Sequence, residues 1–147
     1  MNNIVLYQPT PTQNNSRPAR EQRLFRENVL KAYNYQCAIT GQSIFVDNRA
    51  LLEAAHIIPY RDGGSFAVSN GIALSYEMHK MFDNGLFGFI YDENQNLKIK
   101  VSHSSRIADK DGILKSLDNR IVAIPHTDFE RPDSLAVEYN LEQYLLH

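Results

Sequence analysis

The stretch LLEAAHIIPYRDGGSFAVSNGIALSYEMHKMFDNGLFGF, residues 51–89, sets two histidines, an asparagine and a carboxylate at intervals inside an apolar run. Residues 50–58 read as a short buried strand, bounded by Pro59 and then by Gly63-Gly64. Residues 71–75 read as a second strand, and Ser75 as the N-cap of a helix over 76–83, with Glu77 favourably placed in its first turn. Asn84-Gly85 ends that helix, Gly85 taking the left-handed position beyond its last turn. The order strand, glycine-bearing loop, strand, helix decides the fold.

Chemistry is distributed over these elements. In a regular strand Leu52, Ala54, His56 and Ile58 share one face, and Leu51, Glu53, Ala55 and Ile57 the other. His56 therefore lies among small and apolar neighbours. Burial lowers a histidine's pKa, and a neutral imidazole on a rigid strand suits a general base for water. His79 and Asp83 are one helical turn apart, so both side chains share a face and can meet one cation. Imidazole plus carboxylate suits zinc, manganese or nickel, and magnesium less well. Asn70, before Gly71, can bond both edges of the loop and so aim His56. Taken singly, each residue has a plainer reading: a core histidine, a turn asparagine, a surface histidine, a helix-end aspartate.

Outward from this stretch, residues 8–19 are rich in Pro, Asn, Thr and Ser, and residues 1–19 read as a flexible N-terminal arm before one domain over 20–147. Residues 20–34 read as an amphipathic helix with Phe25, Val29, Ala32 and Tyr33 on one face. Its basic residues, with Arg61 and Lys80, are candidates for backbone phosphates. Cys37 reads as a small core hydrophobe. "LFGFIY" and "LKIKVS" form a hairpin around "DENQN", with Lys98 and Lys100 on its wet face; a short helix follows within 106–117 and an amphipathic one over 134–146.

The totals bound the function. The chain has 147 residues, 43% hydrophobic and 22% charged, enough for one core. Its net charge of −2 excludes a polycation, so nucleic-acid binding must rest on a local basic patch. A single cysteine excludes an intrachain disulfide framework and a multi-cysteine zinc knuckle. With no membrane-length apolar run and no secretory leader pattern, the expectation is a soluble cytoplasmic protein with no membrane partner.

The sequence "CAITG…LLEAAHIIPY…NGIALSYEMHKMFDNGLF" resembles the HNH endonucleases, most specifically over 37–87. The resemblance implies an α+β protein built on a ββα-metal core, here with an N-terminal helix, a following hairpin and a C-terminal helix. It implies His56 as general base, Asn70 as loop brace, His79 as metal ligand, and Asp83 at a position where some members place a further ligand. It also implies one divalent metal ion (Mg²⁺, Mn²⁺, Ni²⁺ or Zn²⁺) and hydrolysis of double-stranded DNA to 5′-phosphate and 3′-hydroxyl ends, in restriction or defence. Ala55 departs from the family pattern: many relatives carry a metal-binding Asp, Glu or His before the base. The metal here then has fewer protein ligands, and Glu53 replaces the lost one only if the strand bulges or twists. A non-cleaving HNH-like DNA-binding module is the alternative reading, and the sequence leaves open a homodimer or fusion to a DNA-recognition domain.

Overall fold

Ser16 accepts a hydrogen bond from Ala19 N and opens helix α1 (Arg17–Ala32), with Pro18 in its first turn. The structure, a computed structural model, describes residues 16–147. The helix starts three residues ahead of the expected position 20, because cap and proline lie upstream of the apolar periodicity. Residues 1–15, most of the expected arm, lie outside the described residues. Phe25, Val29 and Leu30 form the buried face of α1. Burying side chains of this size contributes roughly 1.5–3 kcal/mol each.

The expected single strand over 50–58 is two pieces. β1 (Phe45–Val46) pairs with β2 (Arg49–Ala50) across Asp47-Asn48, whose φ values are 47° and 65°. Two left-handed residues are what a tight two-residue hairpin requires, and Asp and Asn tolerate them. After β2 the Arg26 guanidinium takes the carbonyls of Ala50 (3.1 Å) and Leu52 (2.6 Å). These carbonyls are occupied by a side chain, and the chain enters a second sheet as β3 (Glu53–His56).

β3 pairs antiparallel with β4 (Gly71–Leu74), Ala55 opposite Ile72 and His56 opposite Gly71. A loop containing two 3-10 turns, at 60–62 and 68–70, joins them. Helix α2 (Tyr76–Asp83) follows at once, capped by Ser75, which accepts from Met78 N. It ends at Gly85 (φ 72°), with Leu86 N returning to Met81 O. A Cβ on Gly85 would also come within 2.2 Å of Tyr144 O, so glycine is needed twice over.

β5 (Phe87–Tyr91) and β6 (Leu97–Val101) form the expected hairpin. Lys100 is exposed, whereas Lys98 is half-buried and paired with Asp92 at 3.4 Å. The short helix α3 (Ile113–Leu117) and the C-terminal α4 (Ser134–Tyr144) complete the chain, α4 lying against β5. One core runs from α1 through the β3/β4 pair to the β5/β6 hairpin. The arrangement is α+β with a ββα centre. No described helix is long and apolar enough to cross a membrane.

Candidate active site

β3 ends by carrying His56 into a cleft of about 380 Å³, and α2 brings His79 and Asp83 into the same cleft. The His56 imidazole stacks on Phe25 of α1, centroids 4.1 Å apart and planes 22° apart, and meets the edge of Phe66 at 5.5 Å. Gly71 permits this contact: a Cβ there would lie 2.7 Å from Phe25 Cζ and 2.5 Å from Val29 Cγ2. The Nε2 atom of His56 is buried and has no protein hydrogen-bond partner. Desolvation, then the charge of His79, lowers its pKa below the ordinary histidine value.

Asn70 is 5% exposed and its amide is fully engaged with the loop. Oδ1 accepts from Ile58 N (2.9 Å), and Nδ2 donates to the carbonyls of Ile58 and Ser65 (both 3.0 Å). Its own carbonyl accepts from Ile57 N at 2.9 Å. The loop after His56 is thus tied to the residue before β4.

His79 stands between two carboxylates. Nε2 lies 3.1 Å from Asp83 Oδ2, and Nδ1 lies 2.5 Å from Glu53 Oε1. The hydrogen bond with Asp83, then that with Glu53, raises the His79 pKa against the opposing effect of burial. Glu53 does not line the cleft; it reaches His79 from behind. Among the described residues no three His, Cys, Asp or Glu side chains converge on one point. His79 Nε2 and Asp83 Oδ2 remain a nitrogen–oxygen pair on one cleft wall, a donor set that fits a divalent cation completed by solvent or substrate oxygens.

The other wall was not legible in the sequence. Asn140 and Tyr144 of α4 line the cleft, and buried Asn140 Nδ2 donates to Ile57 O at 2.9 Å. Tyr144 and Tyr139 both donate to Asp62, holding its carboxyl below the usual range. Arg61 lies at the cleft with its guanidinium 5.5 Å from the centre of the Tyr144 ring. Of the α1 cations, Arg26 is committed to backbone carbonyls and Arg17 faces Glu21 at 3.4 Å, while Arg20 and Lys31 are exposed. Cys37 is buried away from the cleft, its Sγ accepting from Thr40 N.

Residues 37–90 match the family model described as HNH endonuclease. No curated protein matches the chain. Among solved structures a modification-dependent TagI restriction endonuclease is similar, with a TM-score of 0.59 at 20% identity over 82% of this chain. The match covers 37% of that protein's length, and at this identity the likeness is one of fold. The HNH resemblance of the motif stretch and the ββα architecture are both borne out.

Proposed function

We propose that this chain is a metal-dependent HNH endonuclease module that hydrolyses DNA phosphodiester bonds in a restriction or defence setting. The observation that carries this is one cleft holding both His56, stacked on Phe25, and the His79–Asp83 pair. The family match over 37–90 supports it.

In this reading His56 takes the proton of the attacking water. Its stacking on Phe25 fixes the ring, and its lowered pKa keeps it unprotonated at neutral pH. Asn70 holds the backbone after the base, acting through the loop and without touching substrate. His79 and Asp83 would hold one divalent cation. When bound, that cation supplies charge stabilisation to a phosphoryl oxygen and to the departing 3′ oxygen. Arg61, at the cleft, contacts a phosphate of the DNA backbone.

The test is incubation of plasmid, unmodified and base-modified, with the chain in Mg²⁺, Mn²⁺, Ni²⁺ or Zn²⁺ and in EDTA. Nicked or linear product that requires metal and disappears in His56→Ala supports the reading. Binding without cleavage under every condition turns it into the non-cleaving module, and wild-type cleavage by His56→Ala removes the base assignment.

A further inference from the structure

His79 has two nitrogens and two carboxylate neighbours, and the two contacts differ in kind. Nε2 and Asp83 Oδ2, 3.1 Å apart, both belong to residues lining the cleft. Two donors on one ion at about 2.1 Å are separated by about 3 Å when their bonds meet at right angles, so this spacing suits a shared ion. Nδ1 and Glu53 Oε1 are 2.5 Å apart, shorter than that separation and within reach of a charge-assisted hydrogen bond. Glu53 meets Nδ1 while Asp83 meets Nε2, and the two ring nitrogens point in divergent directions, so Glu53 approaches the imidazole from the side away from the Nε2–Asp83 pair.

We propose that Glu53 is a positioning residue for His79: it accepts the Nδ1 proton and thereby leaves the Nε2 lone pair turned toward the cation. Glu53 does not replace the ligand missing at Ala55. The strand needs no bulge for this, since Glu53 pairs in regular register with Leu74. A metal-bound histidine commonly gives its other N–H to a carboxylate, which fixes both tautomer and ring orientation. The proposal rests on the reading of His79 and Asp83 as the metal pair, but its first observable is a property of the metal-free protein.

The experiment joins nitrogen-15 NMR of the metal-free chain, under conditions where His79 is neutral, to Mn²⁺ calorimetry. Without metal, Asp83 competes for the ring proton through Nε2, so the tautomer is read in Asp83→Ala, with and without Glu53→Ala. Calorimetry compares wild type, Glu53→Gln, Glu53→Ala and His79→Ala, with circular dichroism as the folding control throughout. The expected Asp83→Ala signal is the Nδ1–H tautomer, and adding Glu53→Ala shifts it toward a mixture. Mn²⁺ affinity falls about 10–100-fold in Glu53→Ala, and Glu53→Gln, which retains an acceptor oxygen, recovers most of it. An Nε2–H tautomer in Asp83→Ala overturns the proposal. So does Glu53→Gln losing as much affinity as Glu53→Ala, which is the result for a direct ligand. Equal Mn²⁺ uptake by wild type and His79→Ala defeats the underlying metal reading, and is told apart because the tautomer is read without metal.

Discussion

Phe25 lies face to face with His56, 4.1 Å between ring centroids, although one belongs to the N-terminal helix and the other to a strand of the central pair. The stack makes α1 part of the site and not only a cover over it. It also contributes, with Phe66, to the burial that is the leading cause of the lowered His56 pKa. Phe25→Ala should cost about 3–5 kcal/mol, as large-to-small changes of buried aromatics do. Phe25→Leu should retain the fold and let the His56 pKa return toward the ordinary value. Urea unfolding measures the first, and proton NMR titration of His56 the second; an unmoved His56 pKa in Phe25→Leu would remove the role assigned to the stack.

The pH profile follows from the same shift. His56 has a folded pKa below its unfolded value near 6.5. Its stability contribution is therefore present above the unfolded pKa and lost as pH falls through the folded one. If His56 is the base, as proposed, it is active when neutral, so with saturating metal the acid limb of log kcat should fall below pH 6.5. His79 shifts the opposite way, raised by Asp83 and Glu53. If that ring holds the metal, as proposed, protons compete with it there, and Mn²⁺ affinity should decline as pH is lowered through the raised pKa. A pH–rate series at two metal concentrations separates the effects: excess metal restores the His79 loss and leaves the His56 limb in place.

The centre of the fold was legible because its signals are local. The Ser75 cap, the period of 76–83 and the left-handed Gly85 lie within one short segment, and each maps to one backbone event. The face shared by Ala54 and His56 followed from strand alternation, and both residues line the cleft. The contact between Glu53 and His79 did not follow, because alternation assigns a side chain to a face and says nothing of how a helix crosses that face. The Arg26 contacts escaped for a similar reason: an arginine on a basic helix reads as solvated, whereas this one satisfies two carbonyls where the chain changes sheets. The α4 wall depends on pairs such as Asn140 with Ile57, which only the assembled fold brings together.

Asn70 should be a stability residue whose loss also reaches His56, the proposed base. Asn70→Ala removes three hydrogen bonds and leaves Ile58 N–H without its partner. A buried orphan of this kind costs about 1–3 kcal/mol. The variant should unfold at lower urea, and cleavage should fall in kcat more than in KM, because the loop displaced is the one that follows His56. Asn70→Asp keeps the acceptor toward Ile58 N but turns an oxygen onto the carbonyls of Ile58 and Ser65, so it should rescue neither property. Wild-type stability in Asn70→Ala would show that the loop holds without the brace.

Arg61 and Tyr144 make a prediction about binding that is separate from chemistry. Tyr144 donates to Asp62, and Arg61 Nη2 reaches the Tyr144 hydroxyl at 3.4 Å, so one tyrosine ties the cleft rim to α4. If Arg61 meets a DNA phosphate, Arg61→Ala should weaken binding alike for unrelated sequences and reduce the slope of log K against log salt by about one. Tyr144→Phe removes the hydroxyl and keeps the ring beneath the guanidinium. It should weaken binding less than Arg61→Ala and leave the salt slope unchanged, since no phosphate contact is deleted. Fluorescence anisotropy with a labelled duplex over a range of salt concentrations measures both. An unchanged slope in Arg61→Ala would move the phosphate contact elsewhere, first to the exposed Arg20 and Lys31 of α1.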